Sequence, residues 1–193
     1  MLLKKIVAIG PESTGKSTLC EQLAIHYHSK WCPEYAREYL SKHGMNYHFD
    51  DLLTIAKGQI DLEEKITAEF INQDLSSKTH PPLTTHPSPL FIDTDMHVMK
   101  VWCEFVFNKC HQWILDQIVS RKYDLYLLCG IDLPWAPDVL REYPDAAPRE
   151  KLFHIYKDIM INQDIPWIEI TGNHEQRLEK AADAVNRIIN VEM

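Results

Sequence analysis

Short apolar runs alternate along the chain with longer stretches in which apolar residues recur every three or four positions. The short runs predict strands over residues 5–9, 30–33, 90–93, 125–128 and 166–170. Strands that alternate with helices form a parallel sheet that is covered by helices on both faces. The pattern therefore predicts an α/β fold with a parallel sheet of about five strands.

The longer stretches predict the helices. Leu19, Leu23 and Tyr27 are spaced four apart and indicate a helix over 16–28. A second helix over 34–43 ends at Gly44, a suitable C-cap residue. Apolar residues at helical spacing predict the remaining helices over 50–74, 96–121, 150–162 and 174–190.

Two segments carry clusters of proline and are predicted to be irregular. Residues 76–89 contain four prolines and are expected to form a mobile surface loop. Residues 132–149 combine prolines with arginines and are expected to form a lid-like connection, which we call the lid segment. Because the alternation of strands and helices continues across both segments, we expect residues 1–193 to form one domain.

Composition and charge narrow the class of protein. The chain has 193 residues, 45% of them hydrophobic, and a net charge of −8. An acidic chain disfavours duplex nucleic acid as a partner, and the apolar runs are too short for a membrane span. The five cysteines never occur as C-x-x-C, which indicates reduced thiols in a cytoplasmic protein. The oligomeric state stays open.

Residues 10–17 match the phosphate-binding pattern G-x-x-x-x-G-K-[ST] and lie between a predicted strand and a predicted helix. Such a P-loop curls its backbone N–H groups around phosphate, and the helix N-terminus favours the same anion. Lys16 is expected to reach the β- and γ-phosphates of ATP, and Ser17 to bind Mg²⁺. The predicted ATP-binding residues are Gly10, Glu12, Ser13, Thr14, Gly15, Lys16, Ser17 and Thr18.

Two acidic residues, Asp93 and Asp95, follow the strand predicted over 90–93. A carboxylate at the end of a buried strand beside a P-loop is a typical Mg²⁺-ordering acid. Asp93 is therefore a candidate catalytic residue and metal ligand. Asp95 is a candidate substrate-binding residue, and it is equally suited to cap the helix that follows.

The stretch Glu34-Tyr35-Ala36-Arg37-Glu38 follows the second strand. Ligands on open α/β sheets bind at the carboxyl ends of the strands, so this stretch is expected to face the P-loop. Glu34 could orient or deprotonate an acceptor hydroxyl, and Arg37 could hold an anionic group. The alternative is a surface ion pair among Glu34, Arg37 and Glu38.

The lid segment supplies positive charge that phosphoryl transfer requires. Arg141 and Arg149 are the candidate catalytic arginines, and solvated loop arginines are the alternative. The aromatic-rich stretch with Trp102 and Phe105 is assigned to packing, together with Phe107 and Trp113.

Among P-loop classes, a small-molecule kinase fits the sequence best. A GTPase would need N-K-x-D, whereas residues 108–111 read Asn-Lys-Cys-His within a predicted helix. An oligomeric ATPase motor would carry a helical lid domain after its core. The competing function is a regulatory ATP-binding module that controls a protein partner and has no small-molecule acceptor.

The chain resembles the ribosylnicotinamide kinase domain of NadR-type proteins. The resemblance is carried by G-x-E-S-x-G-K-S at 10–17, E-Y-x-R-E at 34–38, F-I-D-T-D at 91–95 and W-x-x-D-x-L-R at 135–141. It implies a nucleoside-kinase-like fold, ATP and Mg²⁺, and a nucleoside-like acceptor. The nucleotidyltransferase activity of the bifunctional members is not expected, because the first predicted strand begins at residue 5. The expected substrate-binding residues are Tyr35, Arg37, Asp95, Trp135 and Asp138.

The sequence departs from the family at the two aromatic positions that hold nicotinamide. One position is Pro33, and the other falls near Lys65. We therefore expect nicotinamide riboside to be a weak acceptor unless another ring, such as Trp31, Tyr35 or Trp135, takes over.

Overall fold

In the part of the chain that the structure describes, five parallel strands form a sheet in the order β2-β3-β1-β4-β5. The strands are β1 (Leu3–Ile9), β2 (Lys30–Cys32), β3 (Ser88–Asp93), β4 (Leu125–Cys129) and β5 (Trp167–Ile170). The computed structural model describes residues 3–76 and 88–190, so most of the loop predicted over 76–89 lies outside the described residues. The predicted five-stranded parallel sheet is confirmed.

Seven helices flank the sheet in the same described ranges. They are α1 (Lys16–His26), α2 (Tyr35–His43), α3 (Phe49–Ser76), α4 (Met96–Phe107), α5 (Gln112–Ser120), α6 (Ala146–Ile161) and α7 (His174–Asn190). Among residues 3–76 and 88–190, none of the helices is both long enough and apolar enough to cross a membrane.

The single helix predicted over 96–121 is wrong, because the chain forms two helices there. Asn108 has a left-handed backbone conformation with a φ of 55° and caps α4 through its N–H to Glu104 O. Asparagine adopts this conformation more readily than most residues. The N-K-C-H tetrapeptide therefore lies between helices, although it still lacks the aspartate of a guanine-binding motif.

The last residues of the lid segment are helical rather than irregular, which corrects that boundary. α6 begins at Ala146, so Pro148 and Arg149 lie in its first turn. Proline is tolerated there because the first N–H groups of a helix have no partner within it.

Strand β1 is at the centre of the sheet and contributes to the apolar core on each of its two faces. Ile6 and Ala8 pack towards α1 and α7, whereas Val7 and Ile9 pack towards α4 and α6. This alternation follows from the two-residue period of a strand.

β1 pairs with β3 on one side and with β4 on the other, and Ala8 lies opposite Asp93. The chain therefore crosses over in opposite directions on either side of β1. Such a switch point opens a crevice at the carboxyl ends of the strands, directly at the P-loop and Asp93.

Candidate active site

Two glycines allow the P-loop to curl at the end of β1. Gly10 has a φ of 138°, and a Cβ there would lie 2.7 Å from the Cys129 carbonyl oxygen. Gly15 has a φ of 78° and immediately precedes α1. Left-handed conformations at these positions favour glycine and turn successive N–H groups towards one centre.

The polar side chains of the P-loop are arranged for phosphate contact. Lys16 Nζ donates to the carbonyl oxygens of Gly10 at 3.0 Å and Pro11 at 2.8 Å. These carbonyl contacts hold the ammonium group at the loop, where phosphate oxygens can replace them. Ser17 and Thr18 are exposed residues in the first turn of α1, and both line the cavity described below.

A buried arginine supports the P-loop from behind. Arg177 of α7 is 3% exposed and donates to Thr14 O at 3.0 Å, Gly130 O at 3.1 Å and Gly172 O at 2.8 Å. It also pairs with Asp132. Sequence reasoning missed Arg177, although its spacing of four from buried Ala181 on the same helix face was an available signal.

Asp93 is fully buried behind the P-loop, and neither of its carboxylate oxygens accepts a hydrogen bond of ordinary geometry. Burial first, and the charge of Glu34 second, raise the pKa of Asp93 to about 6. Lys16, the Ser17 hydroxyl and Arg37 act in the opposite direction. A buried carboxylate without a hydrogen-bond partner is costly, and such a group is suited to hold a cation.

Thr94 is strained beside this carboxylate. Its φ of 80° lies in the left-handed region, which is a genuine outlier for a β-branched residue. Its Oγ1 is buried and has no hydrogen-bond partner. Strain of this kind clusters at functional sites.

Asp95, in contrast, is engaged within the fold. It caps α4 by accepting from His97 N at 2.9 Å and Val98 N at 3.3 Å, and it accepts from the Tyr126 hydroxyl at 2.8 Å. Burial opposes its ionisation, but His97, Tyr126 and the Val98 N–H lower the pKa of Asp95 below its usual range. The structure thus gives Asp95 the capping role that the sequence left open.

Glu34 and Arg37 line the cavity in front of the P-loop. The alternative prediction for these residues, a surface ion pair among Glu34, Arg37 and Glu38, is wrong. Arg37 pairs with Asp138 at 2.9 Å, and Glu38 pairs with Lys42 at 2.5 Å. Tyr35 lies outside the cavity lining, with its ring against Gly58.

The lid segment contacts the P-loop directly. Ser13 Oγ accepts from the Ala136 N–H at 3.0 Å and from Arg141 Nη1 at 3.2 Å. Arg141 also lines the cavity. Arg149 lies outside the lining; it is 7% exposed, and its guanidinium stacks 5.4 Å from the Trp135 ring centroid.

One cavity of about 340 Å³ is lined by the P-loop, Glu34, Arg37 and Arg141, and its volume falls in the size range of small-molecule sites. Its polar half consists of the P-loop, Glu34, Arg37, Arg141 and Glu142. Its other half is largely apolar and is lined by Ala36, Leu40, Met45, Val98, Val101, Trp102, Phe105, Val106, Leu140, Tyr143, Leu152 and Tyr156.

Two aromatic residues that were assigned to packing face this cavity. Trp102 and Phe105 line it and also pack against the core as predicted, whereas Phe107 and Trp113 pack in the cluster between α3, α4 and α5 without lining the cavity. The rings proposed as substitutes for the family's aromatic pair, Trp31, Tyr35 and Trp135, are not among the lining residues.

Mg²⁺ fits the residues at the P-loop. The carboxylate oxygens of Asp93 have no hydrogen-bond partner of ordinary geometry, and Ser17, whose hydroxyl acts to lower the pKa of Asp93, lines the cavity. Carboxylate and hydroxyl oxygens are suitable ligands for Mg²⁺. In the described ranges, no group of three or more His, Cys, Asp or Glu side chains is arranged to hold a metal ion by itself. That is expected where phosphates and waters supply the other ligands.

Two curated relatives match nearly the whole chain. The trifunctional NAD biosynthesis/regulator protein NadR of Salmonella typhimurium is 23% identical over 192 residues, and that of Escherichia coli K12 is 22% identical. Each alignment covers 97% of this chain and 43% of the relative. The chain therefore spans less than half the length of the curated relatives it matches.

Solved structures confirm the fold. NadR protein in complex with NR superposes with a TM-score of 0.73 at 22% identity, covering 98% of this chain and 50% of that chain. NadR in complex with NAD and AMP-PNP gives 0.68 at 22% identity, covering 100% and 51%. Thymidylate kinase from Ehrlichia chaffeensis gives 0.61 at 13% identity, covering 95% and 100%.

These likenesses confirm both the resemblance to NadR proteins and the nucleoside-kinase-like P-loop fold. A family model described as an AAA domain matches residues 5–177 of the 193-residue chain. The chain therefore belongs to this AAA domain family.

Proposed function

We propose that the chain is an ATP-dependent kinase that phosphorylates a hydroxyl group of a small nucleoside-like acceptor. The observation that carries this proposal is that one cavity is lined both by Lys16, Ser17 and Glu34 and by a largely apolar set of side chains from α2, α4, α6 and the lid segment, which we call the chamber. The P-loop end suits the triphosphate of ATP, and the chamber suits the ring of an acceptor. A regulatory module that only binds ATP needs no such chamber.

The positive groups around the P-loop would stabilise the transferring group. Phosphoryl transfer depends on positioning and on neutralising charge that is spread over the γ-phosphoryl oxygens. Lys16 and Arg141 line the polar half of the cavity and supply this charge. Ser17 and Asp93 would hold Mg²⁺, which neutralises the β- and γ-phosphates when it is bound.

Glu34 is the carboxylate we assign to the acceptor hydroxyl. It lines the cavity, whereas Asp93 is fully buried and is not among the lining residues. In the proposed reaction the acceptor oxygen bonds to the γ-phosphorus while the bond to the β-phosphate oxygen breaks. ADP leaves, and the hydroxyl proton passes to the carboxylate of Glu34.

Ribosylnicotinamide is the first acceptor to test. The proposal is supported by the matched structures, which are of NadR protein in complex with NR and in complex with NAD and AMP-PNP. Although Pro33 replaces one family aromatic residue, the chamber holds other rings. We place the protein in the cytoplasm as part of the same proposal, because its five cysteines are free thiols.

An ATP-consumption screen tests the function. Purified protein with Mg²⁺ and ATP is assayed with nicotinamide riboside, adenosine, uridine and thymidine, and phosphorylated product is identified by mass spectrometry. We expect one nucleoside to stimulate turnover strongly in wild type and only weakly in Glu34→Gln. Glu38→Gln is the matched control, because Glu38 is exposed and pairs with Lys42. Slow hydrolysis that no nucleoside stimulates would contradict the proposal.

A further inference from the structure

The apolar half of the cavity has one wall that is formed by a single face of α4. Val98, Val101, Trp102 and Phe105 line the cavity and lie three, four and seven positions along from the first of them. α4 begins at Met96, directly after the segment that carries Asp93. Helix α4, which follows the candidate Mg²⁺ ligand Asp93, therefore also presents two aromatic rings to the apolar half of the cavity.

Hydrogen bonds fix the orientation of the indole ring in this wall. Trp102 Nε1 donates to the Tyr47 hydroxyl at 2.9 Å, and that hydroxyl donates to the two carboxylate oxygens of Glu142 at 2.9 and 3.0 Å. Burial raises the pKa of Tyr47 above its ordinary value, so the phenol stays protonated and remains the donor to Glu142.

The same chain of contacts ties the wall to the P-loop. The N–H groups of Glu142 and Tyr143 both donate to the carboxylate of Glu12. The Tyr143 ring packs edge-on against Phe105, with ring centroids 5.3 Å apart and planes at 87°. The position of the aromatic wall is thus coupled to the loop that would hold the phosphates.

We infer that Trp102 and Phe105 form the surface against which the acceptor's flat base packs, and that Tyr47 and Glu142 position Trp102. This inference rests on the proposed function, because it gives the acceptor end of the same cavity its specificity. Aromatic faces bind flat rings by offset or edge-on stacking, and a cationic ring gains cation–π attraction as well. Trp102 and Phe105 would replace the two aromatic residues that hold nicotinamide in the resembled family. The corresponding positions here, Pro33 and one near Lys65, are not aromatic, and neither Pro33 nor Lys65 lines the cavity.

Matched pairs of aromatic substitutions test the inference in the full chain. Trp102→Leu and Phe105→Leu remove rings that line the cavity as well as packing against the core, whereas Trp113→Leu and Phe107→Leu remove rings that pack against the core without lining the cavity. The KM for nicotinamide riboside, the KM for ATP, kcat and the melting temperature are measured for all four. Quenching of tryptophan fluorescence by nicotinamide riboside is measured in parallel, without ATP.

We expect Trp102→Leu and Phe105→Leu to raise the nicotinamide riboside KM by about 3- to 30-fold, the range of one aromatic contact. The ATP KM should change less than about twofold, and the Trp113→Leu control should not move the acceptor KM. Tyr47→Phe keeps a ring but removes the hydroxyl that links Trp102 to Glu142, so it should raise the same KM without changing the melting temperature much. Ligand quenching should persist in Trp113→Leu and disappear in Trp102→Leu.

The outcomes separate this inference from the proposed function. An active wild type whose acceptor KM is unchanged in both Trp102→Leu and Phe105→Leu would overturn the inference and leave the kinase proposal intact. An inactive wild type whose fluorescence is quenched through Trp102 would support the binding surface and reject the kinase. Should Trp102→Leu fail to fold, Phe105→Leu and Tyr47→Phe decide the question through the acceptor KM.

Discussion

The backbone N–H of Glu142 lies 3.0 Å from both carboxylate oxygens of Glu12. This contact joins the second variable position of the P-loop to the lid segment. A carboxylate that accepts backbone N–H bonds forms a strong, charge-assisted contact. The lid segment is therefore held at the phosphate site by the P-loop itself.

We predict that Glu12→Ala releases this part of the lid segment. Without the carboxylate, the N–H groups of Glu142 and Tyr143 lose their acceptor, and their amide hydrogen exchange should accelerate about tenfold or more. Exchange detected by mass spectrometry or NMR measures the effect. Glu21→Ala, at an exposed position on α1, is the control. Unchanged exchange at Glu142 and Tyr143 would show that the contact is not stabilising in solution.

Lys16→Ala should abolish phosphoryl transfer and leave the fold intact. The ammonium donates only to carbonyl oxygens of its own loop among the hydrogen bonds that the structure describes. Its charge also favours the ionised form of Asp93, but Asp93 can take up a proton when that charge is lost, so we expect the free energy of unfolding to fall by no more than about 2 kcal/mol. Turnover should fall at least about 100-fold, as for other losses of a charge-stabilising donor. Lys42→Ala is the control, and wild-type turnover in folded Lys16→Ala would remove the P-loop from the mechanism.

The central part of the site could be predicted from sequence because its signals are local. The apolar run of β1, the glycines of the P-loop and the helix that follows are contiguous in the chain. The carboxyl ends of parallel strands lie at one edge of a sheet, and this rule alone predicts that Asp93 lies beside the P-loop. The structure agrees, because Asp93 of β3 is opposite Ala8 of β1.

The aromatic wall could not be predicted because core and cavity residues share one pattern. Trp102 and Phe105 have the helical spacing of buried residues, and α4 is apolar on most of its surface. Whether such a ring meets protein or an open cavity depends on α2, α6 and the lid segment, which are distant in sequence. The break at Asn108 was missed for another reason, since a left-handed residue ends α4 between two stretches that both have apolar residues at helical spacing.

Arg177→Met should lower both stability and ATP affinity. The guanidinium satisfies the carbonyls of Thr14 and Gly130 and pairs with the half-exposed Asp132, so its loss leaves buried acceptors without donors. We expect the free energy of unfolding in urea to fall by roughly 2–4 kcal/mol. Arg177→Lys should recover only part of this, because an ammonium cannot reproduce the planar fork. Arg187→Met, an exposed position on the same helix, is the control, and equal effects at both positions would argue against support of the P-loop.

Asp93→Asn should stabilise the free protein while it impairs catalysis. The pKa of Asp93 is raised to about 6 from an ordinary 3.8, chiefly by burial and then by Glu34. A carboxyl group with a raised pKa binds its proton more tightly in the folded state than in the unfolded state. Its contribution therefore makes the wild type less stable as the pH rises from about 4 to about 6, after which the penalty is constant.

Asparagine removes that penalty, so Asp93→Asn should exceed wild type in unfolding free energy by about 1–3 kcal/mol at pH 7.5. At pH 5 the advantage should shrink, because the native wild type is then largely protonated at Asp93. Chemical denaturation at both pH values measures this, with Asp61→Asn at an exposed position of α3 as control.

Kinetic assays should show a higher Mg²⁺ requirement and a lower kcat in the same variant. If Asp93 were only structural, the variant would be silent in the Mg²⁺ titration. If the buried charge were already compensated, the variant would be no more stable than wild type at pH 7.5.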